Sequence, residues 1–169
     1  MPIPAKIAKE SESSHQVAFF AYCVVAHNHG FDVADRWAKT GEIDPSRSKP
    51  LGCLEWIHHV PNGGSRGDDA RTRKIRGARL MAEGVKKGIP DICLPWPIKY
   101  KREWFHMLYI EMKRPELKPN AKKAKGGLSD EQIEFRAYSD SCNIAFEVAY
   151  TWEEAVRIVK SYVNSNENK

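Results

Sequence analysis

Two short stretches hold the residue types that chemistry at a phosphate needs: Ile89-Pro90-Asp91, and Ile110-Glu111-Met112-Lys113. Side chains alternate along an extended chain, so Glu111 and Lys113 share one face while Ile110 and Met112 share the other. The apolar pair goes to the core, which leaves an acid and an amine together. If the two segments pair as antiparallel strands in symmetric register, Asp91 lies across from Glu111 and Cys93 across from Tyr109. Adjacent carboxylates repel unless one takes a proton or a cation sits between them. A hard divalent ion such as Mg²⁺ accepts this arrangement, using one or two carboxylates and filling its shell with water and phosphate. The Lys113 ammonium can then hold a phosphate, stabilise developing negative charge, or help orient and deprotonate water. Together these parts describe phosphodiester hydrolysis. The plainer alternative is that Asp91 caps a turn after Pro90 and that Glu111 and Lys113 are an exposed pair on a strand face. A short motif acquires meaning only from its context.

That context is a chain of alternating elements. Residues 11–29 predict a first helix with Val17, Phe20, Ala21, Val24 and Val25 on one stripe, serines before it and Gly30 after it. Residues 40–52 are rich in Gly, Pro and Ser and predict a loop. Strands are expected at 54–60, 89–94, 104–113 and 144–150, and further helices at 68–83, 129–141 and 151–163. Ser129-x-x-Gln132 and Thr151-x-x-Glu154 are capping boxes that mark two of the helix starts. The order α, β, α, β, β, α, β, α implies a central mixed sheet flanked by helices in an α/β fold. No repeat or linker interrupts it, so residues 1–169 are expected to form a single domain, with a core at about 11–163 and a frayed tail at 164–169.

Composition narrows the class. The 169 residues are 41% hydrophobic and 29% charged, enough for a core and unlike a disordered chain. No apolar run approaches the ~20 residues of a membrane span, and no secretory leader is recognisable, so an intracellular, cytoplasmic location is expected. The four cysteines (Cys23, Cys53, Cys93 and Cys142) have neither zinc-site nor disulfide spacing and are expected to be thiols in a reducing compartment. The formal net charge is +5. Positive charge concentrates in two stretches, 65–88 and 113–125, which flank the acidic pair in sequence and suit a polyanion. The same runs also fit an ordinary solvated face.

Five segments in order resemble one family. They are Ser11-Glu12-x-x-x-Gln16, His59-Val60-Pro61-Asn62-Gly63-Gly64, Gly84-Val85-Lys86-Lys87-Gly88-Ile89-Pro90-Asp91-Ile92, Tyr109-Ile110-Glu111-Met112-Lys113-Arg114 and Leu128-Ser129-x-Glu131-Gln132. The pattern resembles the virus-type replication-repair nuclease (VRR-NUC) domain of the PD-(D/E)xK nuclease superfamily, over about residues 11–163. The resemblance implies a restriction-endonuclease-like core and a Mg²⁺- or Mn²⁺-dependent endonuclease acting on DNA. It further implies that Asp91 and Glu111 are metal ligands helped by the Met112 carbonyl, and that Lys113 is the catalytic lysine. Glu12 matches an additional acid that reaches the metal directly or through water, and Gln132 matches a glutamine on the helix after the strand. Family members that stand alone resemble Holliday-junction resolvases and act as homodimers, which implies branched DNA as substrate and a two-fold dimer; a phage or a bacterial origin is compatible with the sequence. The connection 96–105 and the insertion 114–127 depart from the shorter family pattern. A module that kept the fold and the basic surface but only binds nucleic acid is the alternative.

Several residues have two readings. Glu12 also suits a helix first turn, and Gln16 and Gln132 are also third positions of capping boxes (Ser13-x-x-Gln16, Ser129-x-x-Gln132). Asn62 and Arg66, in a Gly-rich turn, together with Arg73, Lys86, Lys87, Arg114, Lys122 and Lys123, are the candidate phosphate contacts, with plain loop and surface roles as the alternative. Trp96, Tyr100, Trp104 and Phe105 suit packing better than base stacking. Gly63-x-Ser65-x-Gly67 fits a serine nucleophile elbow, but Pro61 and Asn62 break the strand-to-turn run that elbow needs. His27/His29 and His58/His59 lack zinc-site spacing and are expected to be structural or at the surface. Gly84-Val85-Lys86-Lys87-Gly88 is too short for a P-loop.

Overall fold

The computed structural model describes residues 11–61, 69–100, 103–119 and 126–165. Its first helix, α1 (Glu12–His29), is capped by the Ser11 hydroxyl, which accepts the Ser14 N–H. The cap therefore begins two residues before the expected Ser13 box, and Gln16 lies inside the helix. The buried face matches the expected stripe only in part: Val25 is buried and Phe20 and Ala21 pack partly against the core. Ala18, Phe19, Tyr22, Cys23 and Ala26 turn inward, whereas Val17 and Val24 face solvent at 68% and 61% exposure. Both faces of α1 carry apolar residues, and the wider aromatic ones win the core because they remove more area from water. Tyr22 keeps its hydroxyl satisfied by donating to Asp35, 2.7 Å away.

A second helix, α2 (Phe31–Thr40), follows after one residue and was not foreseen. Gly30 makes the corner at φ 87°, and a Cβ there would lie 2.4 Å from the Lys49 carbonyl oxygen. Val33, Ala34 and Trp37 are its buried residues. The expected loop then follows, containing two 3-10 turns, Pro45–Arg47 and Gly52–Leu54. The strand expected at 54–60 is reduced to β1 (His58–His59), because the 3-10 turn consumes its apolar start. Next come α3 (Ala70–Ala82) and β2 (Ile92–Leu94). The long strand expected at 104–113 is two: β4 (Glu103–Phe105), which pairs with the unforeseen β3 (Ile98–Tyr100), and β5 (Leu108–Met112). The departing connection at 96–105 is thus largely a hairpin of its own. A 3-10 turn at Pro115–Leu117, α4 (Asp130–Ser141), β6 (Ala145–Ala149) and α5 (Trp152–Asn164) complete the chain.

The main sheet has the order β1-β2-β5-β6 and is mixed, as expected: β1–β2 and β2–β5 are antiparallel and β5–β6 is parallel. A parallel neighbour requires a crossover, which α4 supplies. Alternation on β5 sorts the two faces. Leu108, Ile110 and Met112 join Ile92, Leu94 and Ala149 in a core closed by α1 and α5. Tyr109 and Glu111 turn to the other face, where Tyr109 meets Phe135 of α4 edge-to-face at 5.4 Å. The four cysteines are free thiols. Among the described residues no helix is long and apolar enough to cross a membrane.

Candidate active site

The register places the acids as the symmetric pairing requires: Ile92 opposite Ile110 and Cys93 opposite Tyr109. Continued outward by two residues, that register sets Pro90 against Met112. Proline has no N–H, so the ladder stops there, and Met112 receives no backbone donor from its opposite residue. The Asp91 carboxylate replaces the missing strand, its Oδ2 accepting the Met112 N–H at 2.9 Å. An extended residue points its N–H and C=O to the same side. The Met112 carbonyl therefore also faces the Asp91 side of β5, as a third oxygen beside the two acids. The Asp91 carbonyl is turned the opposite way, towards β1, and accepts the Val60 N–H at 2.7 Å.

Glu111 is 3% exposed, an unusual place for a charge. Its Oε1 is engaged twice, by the Lys113 ammonium at 2.8 Å and by the Gln132 amide nitrogen at 2.5 Å. Its Oε2 is buried and has no hydrogen-bond partner. Burial and then the Asp91 charge push the Glu111 pKa up to about 7, against the opposing pull of Lys113 and Gln132. An unpartnered, desolvated carboxylate oxygen beside a second acid is a position that a proton or a cation completes. The donor set of two carboxylates and a backbone carbonyl fits a hard divalent ion that keeps part of its water.

The supporting residues come from different elements. Gln132 serves both of its sequence readings at once. Its amide oxygen accepts the Ser129 N–H to close the capping box on α4, while its nitrogen holds Glu111. Lys113 is anchored by its own N–H, which donates to Ala149 as β5 runs out alongside β6. Gly88, at φ 84° in the turn before Pro90, lies against the start of α4: a Cβ there would sit 2.4 Å from the Glu131 carbonyl oxygen. The turn before Asp91 and the helix holding Gln132 are thus packed in direct contact.

The structure brings together Asp91, Glu111, Met112, Lys113 and Gln132. Glu12, at the first position of α1, does not complete a metal group, because among the described residues no three His, Cys, Asp or Glu side chains are grouped closely enough to hold an ion. Arg73 falls on α3, and Lys86, Lys87 and Arg114 are exposed on the turns flanking the two acids. Asn62, Ser65, Arg66, Lys122 and Lys123 lie outside the described residues.

His59 was not singled out as a site residue, yet its Nδ1 lies 2.9 Å from the Asp91 carbonyl oxygen and 2.6 Å from the Gln16 amide. The Gln16 contact is through its amide nitrogen, so an unprotonated Nδ1 accepts that N–H, whereas an Nδ1–H donates to the Asp91 carbonyl, and the tautomer selects between the two. Gln16 and His59 together brace the backbone of Asp91. The only sequence sign of this was the recurrence of both residues in the family-like segments. A cleft of about 610 Å³ between α5, β6 and the β3–β4 hairpin, lined in part by Phe105, Leu108, Glu147 and Tyr162, contains none of these site residues.

No family model and no curated protein matches the sequence. Among solved structures the chain is similar to one described as a "VRR_NUC domain protein", with a TM-score of 0.52 and 17% identity over 92% of this chain and 89% of that one. That likeness establishes the fold: a mixed α/β, nuclease-type fold of the kind the sequence resemblance implies.

Proposed function

We propose that the chain is a divalent-metal-dependent endonuclease that hydrolyses phosphodiester bonds in DNA. One observation carries this reading: a buried Glu111 beside Asp91, held on one oxygen by Lys113 and Gln132 and unpartnered on the other. Asp91, Glu111 and the Met112 carbonyl would hold Mg²⁺ or Mn²⁺, with Glu12 reaching it through water. Bound there, such an ion would supply an acidified water and charge neutralisation at the phosphate. Lys113 positions a non-bridging phosphate oxygen and stabilises the negative charge that grows on it, in a site dry enough to make that interaction strong. Gln132 fixes the Glu111 rotamer, and the Met112 N–H fixes that of Asp91. The exposed Lys86, Lys87 and Arg114 flank the pair and supply phosphate contacts that position a strand without reading its bases.

Branched DNA as substrate and a homodimer with two cutting sites follow from the family resemblance and belong to the proposal. A junction presents two equivalent strands, which a two-fold dimer matches. The test incubates supercoiled plasmid and a labelled four-way junction with Mg²⁺ or Mn²⁺, with chelator, and with Asp91→Ala and Lys113→Ala. Chelator-sensitive cutting lost in both variants is the expected result, with the junction cut in preference to linear duplex. Salt-sensitive binding without any cutting would leave the fold as a non-catalytic nucleic-acid-binding module.

A further inference from the structure

We infer, independently of the nuclease reading, that the free edge of β6 takes up an extended segment of a partner protein, one with a basic side chain between two apolar ones. β6 (Ala145–Ala149) ends the sheet order β1-β2-β5-β6, so one of its edges has no strand beside it. Parallel pairing turns the backbone groups of Ala145 and Ala149 towards β5: the Ala145 N–H donates to Met107, and the Ala149 carbonyl accepts from Lys113. By alternation Phe146 and Val148 point theirs outward, in line with Ile144 before them and Tyr150 after. The chain itself closes both ends of that outer row. The Ile144 N–H donates to the Ser139 carbonyl at 3.0 Å, and the Tyr150 N–H donates to the Glu154 carboxylate at 2.9 Å. Between them the N–H and C=O groups of Phe146 and Val148 have no hydrogen bond among the described residues. Unpaired edge groups of this kind are a template for another strand.

The cleft of about 610 Å³ between α5, β6 and the β3–β4 hairpin adjoins this edge. Ile98, Phe105, Leu108 and Tyr162 make much of its wall apolar, a size and character suited to side chains. Alternation puts Ala145, Glu147 and Ala149 on the cleft face of β6, where the small alanines leave space. Glu147 is the exposed residue at the centre of the strand and lines the cleft. No described residue forms a hydrogen bond or ion pair with its carboxylate. The other two charges on the wall are already matched, since Glu154 holds Arg157 at 3.7 Å and Lys118 at 2.6 Å. Burial raises the Glu147 pKa against the pull of Arg136 on α4, so the charged form gains from a nearer cation.

Charge selects the occupant. A strand added along Phe146 and Val148 sets its middle residue across from Glu147, with the two Cβ atoms about 5 Å apart on one face. A lysine or arginine at that position meets the carboxylate. The residues two before and two after it point to the same face and enter the apolar part of the cleft. The same acid argues against a second copy of this chain. Two β6 strands paired about a two-fold axis set their Glu147 side chains opposite or diagonal to each other, and like charges so placed are destabilising. Because Ile144 and Tyr150 are already bonded, the open window is short, which restricts the partner to a brief extended stretch.

The probe is a fluorescein-labelled peptide, Ser-Leu-Thr-Lys-Thr-Leu-Ser, whose side-chain order is the same in either strand direction; its counterpart has glutamate in place of lysine. Anisotropy is read for wild type, Glu147→Gln and Glu147→Lys, and amide exchange at Phe146 and Val148 is followed by NMR. Wild type should bind the lysine peptide about tenfold or more tightly than the glutamate one. Glu147→Gln should bind the two alike, and Glu147→Lys should reverse the preference. The Phe146 and Val148 amides, open in the free protein, should exchange more slowly with the lysine peptide bound. If Glu147→Lys does not fold, the levelled preference of Glu147→Gln decides the matter. Failure of the lysine peptide to bind wild type at about 1 mM, or binding that leaves those two amides unprotected, would overturn the proposal. Glu147 would then be only the inward charge that guards a bare edge. Equal affinity of wild type for both peptides would refute the charge selection. Protection of the same amides without peptide, growing with protein concentration, would give the edge to a second copy instead.

Discussion

Replacing Glu111 with glutamine isolates the energetic consequence of crowding two acids at one buried place. The side chain is 3% exposed, and its pKa is raised from 4.5 to about 7 by burial and by the charge of Asp91. Because the folded-state value lies above the unfolded one, folding favours the neutral acid. Its contribution to stability is fully present below about pH 4.5 and is lost as pH rises through about 7. At about 1.4 kcal/mol per pH unit, the wild type loses about 3 kcal/mol to this group between those limits. The Glu111→Gln variant is isosteric and does not titrate there. Glu147 is also raised by burial and contributes a slope of the same sign. The informative quantity is therefore the difference between the two proteins, which cancels Glu147 and every other group that does not interact with Glu111. Urea unfolding in chelator, at several pH values from about 5 to about 8, should show the variant gaining on wild type by about 2–3 kcal/mol as pH rises. A gap that stays constant over that range would mean Glu111 is an ordinary carboxylate, and the reasoning from an unsatisfied acid pair to a cation site would fail. Mg²⁺ should restore wild-type stability at the alkaline end by mass action and leave the variant unmoved.

Other substitutions separate roles that coincide in one residue. Asp91→Asn keeps an acceptor for the Met112 N–H and should unfold near wild type, whereas Asp91→Ala should lose about 1.5–3 kcal/mol; plasmid cleavage should vanish in both. Gln132→Ala removes both a cap and the brace on Glu111, costing about 1 kcal/mol in thermal unfolding along with cleavage. Gln132→Glu keeps the cap but sets a carboxylate against Glu111, so its pH–rate profile should move to higher pH. Lys113→Met should slow junction cleavage by about 10²–10³-fold with duplex affinity nearly unchanged, read by single-turnover kinetics. Gly88→Ala demands φ 84° of an L-residue and drives a Cβ into the Glu131 carbonyl, so thermal unfolding should drop by 2 kcal/mol or more, about the sum of strain and clash.

How much of this was legible depended on the range over which each interaction acts. The β2–β5 register could be read because a single rule, alternation, fixes both the buried residues and their opposites; Cys93 does face Tyr109. The capping box at Ser129 could be read because it is local, with all of its partners within three residues. Sequence order alone could not place Gln132 on Glu111, because that contact depends on how α4 recrosses the sheet. The inward face of α1 is legible only in part, at Val25 but not at Val17 and Val24, for a related reason. Its two apolar stripes are locally equivalent, and only the positions of α2, α5 and the sheet decide between them. Short strands differ: β1 has two residues of the seven expected, and β3, with three, was not expected, because strands so short rest on a neighbour and leave almost no periodicity. The site inherits this division. Its acids sit where a proline ends a ladder, a feature written in the sequence as Pro90-Asp91. Its braces, Gln16 through His59 and Gln132 from α4, arrive from 75 residues upstream and 41 downstream of Asp91, so only the closed fold makes them part of one centre. A polar residue with a sufficient local explanation, such as a capping glutamine, therefore remains a candidate for a second, distant contact, because one side-chain amide has enough donors and acceptors to serve both.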